Sequence, residues 1–260
     1  MDKSTIGGIL IALIGIGCGL VLDGGKIAQV LQPSAALIVL GGTLGSVMVQ
    51  FPLRVVLDAI VHLKDVFLNI PTESDELVNN LLRYAYKARK EGILSLDGEL
   101  SRIEDPFLRE SLMLAIDGVK SHELRRMMEL QLEYHGEKDA RIPKVFEAAA
   151  GFAPTIGILG AVLGLIQVMQ HLQDINEIGK GIAVAFVSTI YGVASANLLF
   201  LPWAGKLKIR FREKQIIQEM TLEAILSITE GVNPRTIERQ MQRYLPEKPV
   251  QRKLAKVAAR

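Results

Sequence analysis

The sequence lacks the residues that most catalytic and metal-binding sites need. It has a single cysteine, Cys18, which lies in an apolar run and cannot close an internal disulfide. Its four histidines show no metal-binding spacing, and no nucleophile motif or phosphate-binding loop occurs. We therefore expect no enzyme activity, no metal site and no cofactor. The 30 Lys and Arg residues nearly balance the 28 Asp and Glu residues, so the net charge of +2 predicts no nucleic-acid partner.

Charged residues are also missing from four long apolar runs, which cover residues 6–22, 33–51, 148–172 and 182–203. Because a helix rises about 1.5 Å per residue, each run can cross a hydrocarbon core of about 30 Å. The first run is longer than the apolar region of a typical signal peptide, and no small-residue cleavage site follows it. We therefore predict an all-α integral membrane protein with four transmembrane helices.

The missing intramembrane charges also limit the function. Ion and proton pathways usually contain an ionisable group within the membrane. A chain without one is not expected to be a complete transporter or pump. If this chain takes part in ion movement, a partner must supply the titrating group.

The distribution of Lys and Arg predicts the orientation. The short connections within the two pairs of runs contain only Lys26 and Lys180. Most of the other cations lie in the long central block and the tail, and those nearest the membrane are Arg54, Arg141, Lys144, Lys206, Lys208, Arg210 and Arg212. By the positive-inside rule, both termini and the central block are predicted to be cytoplasmic.

Four parts follow from this topology: a transmembrane hairpin (1–53), a cytoplasmic helical domain (54–147), a second transmembrane hairpin (148–203), and cytoplasmic C-terminal helices with a basic tail (204–260). The location that it predicts is the inner (cytoplasmic) membrane, with lipid around the spans.

Capping signals divide the cytoplasmic parts into helices. One helix is predicted to stop at Gly92, and another to begin with Asp105 as N-cap and Pro106 at its first position. A further helix begins near residue 121. After the fourth span a helix is predicted to run to Glu230, and a short last helix has Pro234 near its start.

Glycines repeat at helical spacing in two of the spans. Gly157, Gly160 and Gly164 lie on roughly one face of the third span, and the first span has a similar series, Gly8, Gly15 and Gly19. Small residues let helix backbones approach closely. The spacing is compatible with packing inside one chain and with packing between subunits.

Polar side chains are concentrated in the third and fourth spans: Thr155, Gln167, Ser188, Thr189, Tyr191, Ser195 and Asn197. Because hydrocarbon offers no hydrogen-bond partners, these side chains are expected to face inward. They could hydrogen-bond between helices, or they could line a polar surface beside a partner's carboxylate.

Two prolines, Pro154 and Pro202, lie within the third and fourth spans near their predicted cytoplasmic ends. A proline removes one backbone hydrogen bond and crowds the preceding turn, so a kink is expected at each. Such a kink can be static, or it can act as a hinge toward the cytoplasmic domain.

Several long segments carry a resemblance to a known family. They include GFAPTIGILGAVLGLIQVM, GIAVAFVSTIYGVASANLLFLPWAGKLK and YAYKARKEGILSLDGEL. With them, the sequence resembles the A subunit of the bacterial flagellar motor stator, the MotA/PomA family, over residues 3–246. The resemblance implies a pentameric ring of A subunits around a pair of MotB-like B subunits. Each B subunit carries a membrane Asp that binds the ion, and the A ring turns the rotor through the switch protein FliG.

The resemblance also implies roles for individual residues. Pro154 and Pro202 occupy the positions of the family's two functional prolines. Arg89 occupies the rotor-facing basic position, and Lys90 can share that role. Asp97 lies where the family usually has Glu, so the charge is kept on a shorter side chain.

For the ion path, the resemblance implies that Thr155 and Thr189 line it. Sodium-driven members tend to carry a further threonine in the third span, where this sequence has Ala161. A hard cation prefers oxygen ligands, and alanine offers none. The translocated ion is therefore expected to be a proton, as in the MotA-like members.

Two other functional classes fit the sequence less well than the stator. An ExbB/TolQ-like subunit of an energy-transducing proton channel has three spans, so the fourth span disfavours it. The other class is an uncoupled scaffold or a small-solute transporter. The absence of intramembrane charges disfavours transport by this chain alone.

Overall fold

The computed structural model describes residues 2–68 and 74–245, and in these ranges the chain forms helices and turns without a β-strand. The α-helices in chain order are α1 Lys3–Leu22, α2 Pro33–Ala36, α3 Gly42–Gln50, α4 Leu53–Phe67, α5 Ser74–Glu91, α6 Pro106–Ile116, α7 Ser121–Gln170, α8 Ile175–Ala194, α9 Leu201–Thr229 and α10 Pro234–Met241. Short 3-10 helices cover Ile27–Gln29 and Ile93–Arg102. Segments of π-helix join α2 to α3 (Leu37–Gly41) and α8 to α9 (Ser195–Phe200).

Four helical stretches are long and apolar enough to cross a membrane, as the sequence predicted. The first is α1 and the second is Pro33–Gln50. The third and fourth lie within longer helices, Ser121–Gln170 and Ile175–Thr229, so the predicted boundary at residue 147 is not a helix boundary. Helix α7 continues through it because neighbouring elements bury one of its faces, where Ile142, Val145 and Phe146 are almost fully enclosed.

The chain divides into two compact units. One comprises Met1–Ile70 and Lys138–Arg210, and the other comprises Pro71–Glu137 and Phe211–Arg260. Helix α4 therefore belongs with the candidate spans, although it falls after the boundary predicted at residue 54. Its buried residues Val56, Ala59 and Val66 repeat at helical spacing, which explains why it packs into this unit.

In the first unit, glycines bring α7 and α8 into backbone contact. A Cβ added at Gly157 would lie 2.8 Å from the Ser188 carbonyl oxygen, and one at Gly164 would lie 2.6 Å from the Gly181 oxygen. This glycine face therefore serves packing within the chain. The glycines of α1 differ, because a Cβ at Gly8 (and likewise at residues 15 and 19) would meet no described atom within 4 Å.

The second unit has an apolar core from α5, α6, α10 and the adjoining parts of α7 and α9. Its fully buried side chains include Leu81, Leu96, Leu112, Leu124 and Ile225. Four leucines on different elements thus share one core with Ile225 near the end of α9.

The predicted helix ends in this unit are confirmed. Asp105 caps α6 by accepting a hydrogen bond from the Leu108 N–H at 3.0 Å, with Pro106 at the first helical position. Helix α5 ends before Gly92, whose φ of 82° is a conformation that favours glycine. Helix α9 ends at Thr229, one residue before the predicted end.

Candidate functional site

The hydroxyl groups of the third and fourth spans bond mainly within their own helices. Thr155 Oγ1 donates to the Phe152 carbonyl oxygen at 2.8 Å, Thr189 Oγ1 to that of Ala185 at 3.3 Å, and Ser195 Oγ to that of Gly192 at 3.2 Å. The Asn197 amide does the same toward Val193 at 2.9 Å. Of the two possibilities, hydrogen bonding between helices is not what these four residues do within the chain, because each finds a carbonyl about one turn back in its own helix.

The expectation that all the polar side chains face inward is also wrong for the single chain. Thr155, Gln167 and Asn197 are exposed, whereas Ser188 is buried and Thr189 is half-buried. The own-helix hydrogen bonds of Thr155 and Asn197 let these two side chains face outward, and a single chain leaves one side of each span uncovered.

Thr155 and Thr189 do not form one site within the chain. Gly157 lies against α8, where a Cβ on it would be 3.4 Å from the Thr189 Cα. Thr155 precedes Gly157 by two residues, which is about 200° around the helix, and its exposed side chain lies on the other side. Ala161 is half-buried one turn further along α7. Each hydroxyl oxygen still has lone pairs that can accept a hydrogen bond or bind a cation.

Two buried hydroxyls have no hydrogen-bond partner among the described residues. They are Ser188 Oγ, fully buried in α8, and Thr43 Oγ1 in α3, with an exposed fraction of 2%. Thr43 did not stand out in the sequence, because one threonine among apolar residues carries no local signal. Among the described residues no group of three or more His, Cys, Asp or Glu could hold a metal ion.

The two singled-out prolines are accommodated without ending their helices. Helix α7 continues through Pro154 and also through the buried Pro143, which precedes the third apolar run. Pro202 is the second residue of α9 and lies two residues after the end of the π-helical segment Ser195–Phe200. A π-helical turn shifts the backbone hydrogen-bond pattern, and such turns frequently occur at functional sites.

The residues just beyond Pro202 are held by an aromatic cluster. The Trp203 ring meets the rings of Phe67, Phe146 and Phe200 edge-on, with centroid separations of 6.3, 5.8 and 5.9 Å. Such pairs stabilise by about 0.5–1.5 kcal/mol each beyond the area that they bury. Three elements are thereby attached to the beginning of α9.

An ionic contact lies next to this cluster. The Asp2 carboxylate pairs with Lys206 and lies 3.6 Å from Arg210, while its backbone N–H donates to the Phe67 carbonyl oxygen at 2.8 Å. The hydrogen bond from Lys206 is the main reason why the pKa of Asp2 is well below its usual range; the Ser4 hydroxyl contributes next. The start of α1 is thereby attached to α9 one turn beyond Pro202.

The charges at the implied rotor-facing positions lie on two adjoining elements of the second unit. Arg89 and Lys90 are in the last turn of α5, and Asp97 is in the 3-10 segment Ile93–Arg102. All three side chains are exposed, and none makes an ion pair or hydrogen bond within the described part of the chain. They are therefore free to contact another molecule.

Glu99 attaches this 3-10 segment to α5. Its carboxylate accepts a hydrogen bond from Lys87 at 2.8 Å and lies 3.6 Å from Arg83. The Lys87 hydrogen bond is the main reason why the pKa of Glu99 is lowered. Sequence reasoning missed these residues, although the spacing of Arg83 and Lys87 (i, i+4) already placed two cations on one face of α5.

Comparisons with known proteins cover almost the whole chain. Residues 6–92 match the family model "Motility protein A N-terminal", and residues 99–222 match the "MotA/TolQ/ExbB proton channel family". The chain is 36% identical to Motility protein A of Helicobacter pylori (strain ATCC 700392 / 26695) over 94% of its own length and 95% of that protein. It is 32% identical to Motility protein A of Bacillus subtilis (strain 168), over 95% of its own length and 92% of that protein.

A solved structure gives the same result at the level of the fold. The "Structure of C. jejuni MotAB" contains a chain that superposes with a TM-score of 0.90 at 33% identity, covering 96% of this chain and 98% of that one. The resemblance inferred from the sequence motifs is thus confirmed. The chain belongs to the motility protein A family of the MotA/TolQ/ExbB proton channels.

Proposed function

We propose that this chain is the A-type stator subunit of a bacterial flagellar motor. With a B-type subunit it forms an ion channel that converts the ion-motive force into torque on the rotor. The observation that carries the proposal is the superposition, over nearly the whole of both chains, on a subunit of a MotAB structure. The four spans contain no Asp, Glu, Lys or Arg in their cores, so the B subunit supplies the titrating carboxylate. No step of this function requires enzyme chemistry or a bound cofactor.

In the proposed topology the spans form two hairpins in the inner membrane, with both termini and the second compact unit in the cytoplasm. The distribution of Lys and Arg supports this orientation, because only Lys26 and Lys180 lie in the short connections. Cysteine-accessibility labelling from each side of the membrane tests the orientation.

We propose that Thr155 and Thr189 contribute the chain's oxygens to the ion path. Since they lie on different sides of the packed α7–α8 pair, a complete path needs surfaces from neighbouring A subunits or from the B subunit. This requirement agrees with a pentameric ring around the B pair. An ExbB/TolQ-like role fits less well, because residues 6–92 match a model specific to motility protein A.

We propose that the ion is a proton, because Ala161 offers no oxygen ligand to a sodium ion. The experiment is a gene deletion complemented with this chain and its B subunit, with swimming speed measured in sodium-free medium and after addition of a protonophore. Swimming without sodium that stops with the protonophore is expected. Swimming that follows external sodium and resists the protonophore overturns proton coupling. Unimpaired swimming of a deletion strain that has no second stator set overturns the stator assignment.

Torque transmission is assigned to the prolines and to the exposed charges. Pro154 and Pro202 act as hinges, and Arg89, Lys90 and Asp97 contact the rotor switch protein. The Arg89→Glu variant is expected to impair swimming at unchanged membrane level and assembly, since surface charges set orientation and encounter more than affinity. The Pro154→Leu variant tests the hinge, because an unaffected motor speed would exclude it.

A further inference from the structure

Tyr191 connects the fourth span to the turn between the first two. Its hydroxyl donates a hydrogen bond to the Val30 carbonyl oxygen at 2.7 Å and accepts one from the Gln32 N–H at 3.3 Å. The partners are 161 and 159 residues away in sequence. Tyr191 thus differs from Thr155, Thr189, Ser195 and Asn197, whose hydrogen bonds stay within their own helices.

The two backbone groups that Tyr191 contacts have no helical partner of their own. Gln32 is the N-cap residue of α2 with Pro33 at the first helical position, and no side chain of the cap itself accepts a hydrogen bond there. Val30 follows the 3-10 turn Ile27–Gln29. Backbone groups near hydrocarbon need an internal partner, and one phenol serves both a donor and an acceptor here.

Helix α8 also packs on α2 and on the π-helical segment Leu37–Gly41. It meets α7 through a face of small residues, Gly181, Ala185, Ser188 and Gly192. Glycine and alanine surfaces permit close approach but offer few features that fix one axial position. The Tyr191 hydrogen bonds are directional, so they fix both the height and the rotation of α8 relative to the first hairpin.

Thr189 is two residues from Tyr191, which places it about 200° away around the helix. A rotation of α8 that moves the Tyr191 hydroxyl away from Val30 therefore moves Thr189 by a similar angle on nearly the opposite side. We propose that Tyr191 is a positioning residue that holds Thr189 at its place in the ion path. This inference rests on the proposed function, because that function assigns Thr189 to the path.

The simpler alternative is that Tyr191 only stabilises the turn. The Tyr191→Phe variant separates the two, since it keeps the ring and removes the hydroxyl. It is made in the full chain, co-expressed with the B subunit. The matched control is Tyr86→Phe, which removes a hydroxyl from an exposed tyrosine of α5 in the other compact unit.

The first measurements are membrane level, co-purification with the B subunit, and motor speed at high load. For Tyr191→Phe we expect level and assembly within about twofold of the unsubstituted chain and a motor speed reduced severalfold. The Tyr86→Phe control should leave all three unchanged. Loss of Tyr191→Phe protein from the membrane would assign Tyr191 a structural role only and would overturn the proposal, as would an unchanged motor speed.

The second measurement reports the place of Thr189 directly. In a Cys18→Ala background, maleimide labels a Thr189→Cys variant, and a Val162→Cys variant on α7 serves as reference. Adding Tyr191→Phe should change the labelling rate at position 189 at least threefold and leave that at position 162 unchanged. Equal rates at 189 with and without the Tyr191 hydroxyl would overturn the proposal. Labelling does not require the motor to turn. A failure of the proposed function would be seen as no motility from the unsubstituted chain, and it is therefore detected separately.

Discussion

The close contact between α7 and α8 makes a quantitative prediction for Gly164→Ala. The added Cβ would lie 2.6 Å from the Gly181 oxygen, 2.7 Å from the Ala185 nitrogen and 3.1 Å from the Ala185 Cα. All three are backbone atoms, so no side chain can turn aside. Ordinary carbon contacts are about 3.5 Å or longer, and the two helices would therefore have to separate by about 0.8 Å.

The energetic cost follows from that separation. Overpacking costs about 1–3 kcal/mol, and the rigid backbone on both sides places Gly164 near 3 kcal/mol. Replacing glycine by alanine within a helix returns about 1 kcal/mol. The expected net loss is about 2 kcal/mol, which for a chain of this size lowers the melting temperature by roughly 4–8 °C.

The assay is thermal unfolding of the detergent-purified complex, and Gly136→Ala is the matched control. Gly136 lies in the same helix, α7, and a Cβ there would meet no described atom within 4 Å. This control should be neutral or stabilising, by up to about 1 kcal/mol. If both variants melt at the same temperature, the α7–α8 backbone contact does not have the closeness on which the reasoning depends.

Three further predictions concern the ends and joints of helices. Because the pKa of Asp2 is lowered in the folded protein, its ion pair with Lys206 stabilises the fold at pH values above the ordinary Asp pKa of about 4. This stabilisation is lost as the pH falls through the lower pKa of the folded state. The Asp2→Asn variant should therefore have a lower melting temperature at pH 7 and lose less stability on acidification. Glu99→Gln should increase hydrogen exchange in the 3-10 segment and reduce motor speed, and a charge swap with Lys87 should restore both; an unaltered exchange rate would contradict the attachment. Gly92→Ala places a side chain at a φ of 82° and a ψ of 158° and should destabilise the protein by about 1–3 kcal/mol in thermal unfolding, whereas no loss would contradict the strain.

The sequence predicted those parts of the fold that depend on local signals. Four uncharged runs of sufficient length gave the four spans, because hydrocarbon thickness sets a minimum helix length. Asp105 and Pro106 gave the start of α6, and Gly92 gave the end of α5, because each satisfies a backbone requirement within a few residues.

Contacts between distant segments could not be predicted in this way. Nothing in the sequence near Tyr191 indicates Val30 as its partner, and nothing near Lys206 indicates Asp2. The continuity of α7 through Pro143 depends on such contacts as well. A proline argues locally against a helix, and only the burial of that helix face in the folded unit outweighs the local cost.

In the proposed function, the arrangement of hydroxyls explains why the chain needs a B-type partner. A proton path needs a group that changes its protonation state, and Thr155 and Thr189 do not titrate in the physiological range. Their own donors are already used by carbonyls one turn back, so what they offer to an ion or to a neighbouring carboxylate is lone pairs alone. An acid placed on a separate chain can then be protonated and move past these oxygens, whereas an acid fixed on α7 or α8 would rotate with them. In the proposed function, relative motion between the A and B subunits therefore requires that the titrating group and the oxygens of Thr155 and Thr189 belong to different chains.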